Sequence, residues 1–172
     1  MIVSNATPLI YLAKVGKLDL LKIFGEVYIP EEVKVEVVDK GKALGKPDSY
    51  AIEKAIKEGW IKVLKVEPID IPIKLHSGEV AVLSLAKKLG IKDVLVDEKP
   101  ARFAAKLLNL KPRGTLFVLL KALKEEIINF DEFIDTLNEM VGQGFRLREE
   151  VVIEAIKEAK KIINRKKNQR IH

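Results

Sequence analysis

Short apolar runs alternate along this chain with stretches in which apolar residues recur at helical spacing. The runs read as buried strands and the periodic stretches as amphipathic helices. Residues 2–5, Ile-Val-Ser-Asn, form the first strand-like segment. Thr7 and Pro8 then read as a cap and a first helical position, opening a helix over 9–15 that Gly16 closes. A second short helix spans 18–24, a strand 27–29 is stopped by Pro30, and a helix follows over 31–39. Residues 41–47 read as a loop and the most flexible segment. Asp48 reads as the cap of a helix with Ala51, Ile52, Ala55 and Ile56 on one face, ended by Gly59. Residues 60–66 read as a strand, and 67–75, with Pro68 and Pro72, as a connection. Ser77 reads as the cap of a helix over 78–89 that turns Val80, Leu83, Leu85 and Ala86 inward, with Gly90 just past its end. Residues 93–97 form the clearest buried strand. Further helices are expected through Leu108, over 115–125 after a short segment at 110–112, over 130–141, and over 149–167 beyond breaks at Gly142 and Gly144.

Strands separated by helices predict an α/β fold, a central parallel sheet with helices on both faces. Ligands of such sheets bind outside the carboxyl ends of the strands. Asn5 and Asp97 both stand at such ends, so the pattern already points to one crevice.

Composition narrows the setting. The chain of 172 residues suits one domain able to bury a substantial core. It lacks an apolar stretch of the ~20 residues needed to span a bilayer, and Met-Ile-Val-Ser-Asn has no basic leader region. Cys is absent and there are two His, which excludes disulfides and thiolate sites, argues against His-ligated zinc, and favours a cytoplasmic setting. The Lys- and Glu-rich composition resembles a hyperthermophile's surface. The formal net charge of +6 is local: residues 155–172 hold seven Lys or Arg against Glu158 alone, so the remainder is neutral. That segment reads either as a solvated helix end or as a surface for phosphate backbones.

The candidate chemistry rests on oxygen-bearing side chains, each with a plainer alternative. Asp97 can hold a divalent cation at its strand end or cap the helix near Pro100. Glu79 sits in a first helical turn, where the helix dipole alone favours an acid. Glu36 reaches toward a pocket or belongs to a solvated face with Glu31 and Glu32. Asn5 can bond its own turn, and Thr7 can be only a cap. His76 reads as a loop residue bonding the following cap, and Trp60 and Tyr50 as packing residues.

The order of these residues carries a resemblance. Ser4-Asn5-Ala6-Thr7-Pro8-Leu9-Ile10, Ile29-Pro30 with Val33 and Glu36, Leu75-His76-Ser77-Gly78-Glu79, Leu95-Val96-Asp97-Glu98 and Gly114-Thr115 together resemble a PIN domain, closest to the toxin-like, VapC-related prokaryotic subgroup. The resemblance covers residues 1–150 and leaves 151–172 as a basic C-terminal helix. It implies a three-layer α/β/α fold and a ribonuclease dependent on Mg²⁺ or Mn²⁺. It assigns Glu36, Glu79 and Asp97 to the metal, with Glu98 as an additional acid. Asn5 stands where the family has an Asp, and Thr7 stands at its hydroxyl position. Lys99 and Arg102 fall near the pocket mouth, where they would meet substrate phosphates. A homodimer and an antitoxin-like protein partner, reaching the acidic pocket with a basic side chain, are also implied.

The physical logic is independent of the family. Mg²⁺ and Mn²⁺ prefer oxygen donors. Clustered carboxylates repel until a cation joins them. Such a cation acidifies water and stabilises charge on phosphoryl oxygens, which suits phosphodiester hydrolysis. Asn5 offers an oxygen but no charge, and metal affinity should fall accordingly. Three readings stay open: a working site in which Glu98 compensates, a non-catalytic pocket that binds RNA or a protein, or an introduced change that silences a nuclease.

Overall fold

A computed structural model describes residues 1–171; His172, to which the sequence assigns no role, lies outside the described residues. The chain divides into two compact units, Met1–Thr115 and Leu116–His172. The sheet and every candidate site residue lie in the first.

Strands β1 (Ile2–Ser4), β2 (Val27–Pro30), β3 (Ile61–Leu64), β4 (Asp93–Leu95) and β5 (Lys111–Arg113) form one sheet in the order β3-β2-β1-β4-β5. All four pairings are parallel, with Val3 opposite Tyr28 on one side and Val94 on the other. The three-layer α/β/α class read from the sequence is the observed one. Central strands of such a sheet are covered on both faces, which requires unbroken apolar runs rather than alternation. Ile2, Val3, Val94 and Leu95 are accordingly fully buried. The chain lays down β1, β2 and β3 in one direction, then crosses to build β4 and β5 on the other side of β1. The strand order therefore reverses between β1 and β4, where parallel sheets open their ligand crevice.

Helices α1 (Ala6–Lys14), α2 (Glu31–Lys34), α3 (Gly41–Ala43), α4 (Pro47–Glu58), α5 (Ser77–Leu89) and α6 (Lys99–Leu107) serve this sheet. Helix α5 packs on β1, β2 and β4, α4 on β3 and α1, and α6 on β5. Residues 18–24 form a 3₁₀ rather than an α-helix. The second unit holds α7 from Leu116 onward (Thr115–Lys124), α8 (Phe130–Gly142) and α9 (Glu149–Ile171). Helix α8, capped by the Asn129 side chain on the Glu132 N–H at 2.8 Å, packs on α9.

Several local expectations are corrected. The supposed loop at 41–47 is confined to the turn at 44–46: α2 runs through a π-helical turn, Val35–Lys40, into α3, and α4 begins at Pro47. Gly41 makes this possible, because a Cβ there would sit 1.7 Å from Ser49 Oγ. The short segment at 110–112 overlaps a true strand, β5, which begins at Lys111. Pro112 is admissible there because β5 is an edge strand. Four caps were misplaced. Asn5, Lys46, His76 and Glu98 hold the N-cap positions of α1, α4, α5 and α6, so Thr7, Asp48 and Ser77 lie inside their helices and Asp97 precedes its own. Helix α5 buries an unbroken run from Ala81 to Ala86, wider than the stripe expected, while Val80 is half-buried. Helix α8 includes Gly142, and the chain turns instead at Gly144, with φ of +99°. Tyr50 is exposed, with the Lys42 ammonium over its ring.

Candidate active site

The crevice is assembled first by backbone. The Asn5 N–H donates to Leu95 O at 2.9 Å, and the Val96 N–H donates to Arg113 O at 2.9 Å. Both bonds carry the ladder one residue past the strands, so the ends of β1 and β4 lie side by side. Asn5 and Asp97 are thereby set on neighbouring strand ends.

Asp97 is held on two sides. Its Oδ1 accepts the Thr115 N–H at 2.8 Å and its Oδ2 accepts the Thr115 hydroxyl at 2.7 Å. Thr115 is fully buried. Gly114 leaves room for the carboxylate, since a Cβ there would come within 3.0 Å of Asp97 Oδ1 and 3.4 Å of Arg102 Nη1. Arg102 Nη1 donates to Val96 O at 3.0 Å, which places this guanidinium against the strand end. Burial pushes the Asp97 carboxyl above the ordinary aspartate value, opposed by the two Thr115 bonds and the Arg102 charge. The helix-capping alternative for Asp97 does not hold, because both of its oxygens bond Thr115.

Asn5 forms the second corner. It is 7% exposed, and its side chain makes no capping bond to α1. The turn-bonding alternative therefore fails, and the amide is left for the crevice. Asn5 Oδ1 and Glu36 Oε2 lie 3.9 and 3.8 Å from the same point, the place a Cβ on Gly78 would occupy. Glu36 is exposed at the π-helical turn, and such turns recur at functional sites because the wider turn re-aims its side chains. Glu79, next to Gly78, is 7% exposed and accepts the His76 N–H at 3.1 Å through Oε1. One of its oxygens thus caps α5, a bond beyond the dipole preference that the plainer reading invoked.

Glu98 links the corners. Its Oε1 accepts the Thr7 hydroxyl at 3.4 Å. Its carboxyl titrates above the ordinary glutamate value, first through desolvation and then through the negative charges of Asp97 and Glu79. Glu98 therefore lies within electrostatic reach of Asp97 and Glu79. Lys99 is the exposed first residue of α6.

Residues 1–161 match the family model for the PIN domain. The chain belongs to the PIN-domain family. No curated protein matches it. PIN domains have a nuclease-like fold, are generally metal-dependent ribonucleases and generally use divalent metal ions. No helix among the described residues is long and apolar enough to cross a membrane.

The donor chemistry fits a hard divalent cation: Glu36, Glu79, Asp97, Glu98 and the Asn5 amide offer oxygen only, and the mutual repulsion around Glu98 is what a cation relieves. Coordination spacing is another matter. Among the described residues no three acidic or imidazole side chains converge as ligands. Sequence reasoning assigned no role to Thr115, Gly78 or Gly114. Its signals for them were their place in the segments that resemble a PIN domain, Ser77-Gly78-Glu79 and Gly114-Thr115, which carried no role for the individual residues.

Proposed function

We propose that this PIN domain is a metal-dependent endoribonuclease of toxin type, with catalysis weakened by Asn5. The observation that carries the reading is the placing of Asn5 and Asp97 on adjacent parallel strand ends at the reversal of strand order, with Glu36 beside one and Glu98 sensing the other. Glu36, Glu79, Asp97 and Glu98, with the Asn5 oxygen, would hold Mg²⁺ or Mn²⁺. When bound, the cation supplies an acidified water and charge stabilisation on the scissile phosphate. The chain's own residues do the remainder. Thr115 fixes Asp97, Thr7 orients Glu98, and the strand ends keep Asn5 facing the acids. Arg102 restrains the end of β4 through Val96, and Lys99 at the rim meets substrate phosphates. In-line hydrolysis would leave a 5′-phosphate and a 3′-hydroxyl. The same reading makes the protein a cytoplasmic homodimer, held inactive by an antitoxin-like partner that inserts a basic side chain among the acids. Residues 1–150 would form the catalytic domain, with 151–172 appended.

A second reading has its own support. Asn5 brings no charge, Glu79 is partly committed to its helix cap, and both Asp97 oxygens already bond Thr115. On that reading the chain is a non-catalytic PIN module that binds RNA or a protein. Cleavage of a labelled single-stranded RNA with Mn²⁺ separates the two. Cutting by the chain that is lost in Asp97→Asn supports the enzyme. Cutting only by Asn5→Asp supports the module.

A further inference from the structure

Helix α6 turns its small residues inward and its large apolar ones outward. Ala101, Ala104 and Ala105 are fully buried where the helix packs on β5. Phe103 is 58% exposed and Leu107, one helical turn further on, 52%. Among the described residues Phe103 is the most exposed aromatic side chain, and its ring meets no other ring and no cation. A single exposed apolar residue carries no meaning by itself. The residues around Phe103 give it one.

Lys99, Phe103 and Lys106 are spaced four and three residues apart, which sets them in one row on the helix surface. All three are exposed. The helix carries three bases, Lys99, Arg102 and Lys106, and no acid. Lys99 stands in the first turn, where the helix dipole disfavours a cation. Among the described residues neither Lys99 nor Lys106 makes an ion pair, so both charges face solvent. Arg102 flanks the row and is tied to Val96 O at 3.0 Å. The row also starts at the crevice, because Glu98 is the N-cap of α6 and lies within electrostatic reach of Asp97 and Glu79. From Lys99 to Lys106 it runs about 10 Å along the helix axis, roughly the span of one or two nucleotides.

We propose that the outward face of α6 is a platform for unpaired RNA, on which one base stacks against the Phe103 ring while Lys99 and Lys106 hold the phosphates on either side. An aromatic ring between cations is the arrangement that binds single strands, since every base offers a π-face and every nucleotide a charge. In a duplex the base faces lie against one another, so the platform selects loops and single strands. Charge decides between this occupant and an apolar protein surface. The latter would bury two unpaired ammonium groups, whereas phosphates pair with them. Phe103 then sets which unpaired base lies a short step from the acids, and Leu107 extends the apolar strip beside it. The inference rests on the reading of the crevice as a ribonuclease site and adds the substrate feature that the acids do not specify.

The test uses the intact chain in EDTA at low salt, with a short RNA carrying a fluorescent purine, as a single strand and as a duplex. Anisotropy reads affinity, and quenching of the purine reads stacking. The single strand should bind with quenching, and the duplex more weakly without it. Phe103→Ala should weaken binding roughly tenfold and abolish the quenching, while Phe103→Trp keeps both. Phe103→Leu stays apolar but has no π-face, and should behave as Phe103→Ala does. Lys106→Ala should lower the slope of log affinity against log salt by about 0.7. Circular dichroism checks that each variant is folded. A parent that binds no single strand, or Phe103→Ala or Phe103→Leu binding as the parent does, overturns the proposal. So does a Phe103→Ala change that alters the mass in sedimentation but not RNA affinity, which would make the face a protein-docking surface. None of these readouts needs metal or cleavage, so a site silenced at Asn5 leaves them intact. Conversely, cleavage that is lost in Asp97→Asn beside unchanged binding in Phe103→Ala would uphold the enzyme and sink the platform.

Discussion

The two corners of the crevice are built to different standards. Asp97 is over-determined: both carboxylate oxygens are bonded to one buried threonine, a glycine leaves it room, and an arginine ties down the strand end beside it. Asn5 and Glu36 share a region of space near Gly78, yet the Asn5 side chain makes no cap bond and Glu36 is exposed. One corner is fixed by its own hydrogen bonds, and on the proposed function a bound cation would draw the other together. The difference teaches where binding free energy is spent. A ligand gains little by ordering Asp97 and must supply the cost of ordering Glu36.

The comparison breaks most sharply at Asp97. Asp97→Asn should lower Mn²⁺-dependent cleavage by on the order of a hundredfold or more, read as initial rates, because it removes the charge the rigid corner holds. Thr115→Val comes next. It deletes the hydroxyl bond but keeps the N–H bond, and metal affinity should fall by roughly tenfold to a hundredfold, while Thr115→Ser retains most of it. The glycines sharpen the contrast. Gly114→Ala forces a methyl against Asp97 and should cost about 1–3 kcal/mol in chemical denaturation. Gly78→Ala meets its neighbours at ordinary contact distance and should stay within about 1 kcal/mol of the parent. Asn5→Asp adds charge at the loose corner and should tighten Mn²⁺ binding by roughly tenfold.

The pH dependence is smaller and has a definite sign. Asp97 and Glu98 both titrate above their ordinary values. The folded chain therefore binds their protons more tightly than the unfolded chain. The metal-free protein should gain stability as pH falls from the raised values toward the ordinary carboxylate range, and lose it as pH rises through that window. Metal affinity should move the opposite way, since protons compete for the same oxygens. Thermal melts across acidic buffers with and without Mn²⁺ should show the two trends diverging below neutral pH.

The sheet was legible in the sequence where strands are buried on both faces. Ile2-Val3 and Val94-Leu95 carry short continuous apolar signals that the flanking turn residues mark as strands. The β5 strand was not, because Lys-Pro-Arg carries no apolar signal and an edge strand asks only for one bonded side. The supposed loop at 41–47 misled only at its start, because glycine usually marks a turn, as Gly45 does. Here Gly41 is required by the close approach of Ser49, a contact eight residues away. Cap residues were misjudged by one or two positions at Thr7, Asp48 and Ser77, as side-chain preference does not fix where backbone dihedrals turn helical. Candidate site residues could be named from their order along the chain, but their partners could not. The bond from Thr115 to Asp97 spans eighteen residues and two elements, and nothing local announces it.

Calorimetric titration of the intact chain with Mn²⁺, beside Asp97→Asn and Asn5→Asp, tests the central claim most directly. The account predicts one site that is lost in Asp97→Asn and tightened in Asn5→Asp, with proton uptake by buffer showing that carboxyls release protons on binding. Equal binding by all three proteins, or none even in Asn5→Asp, would contradict it.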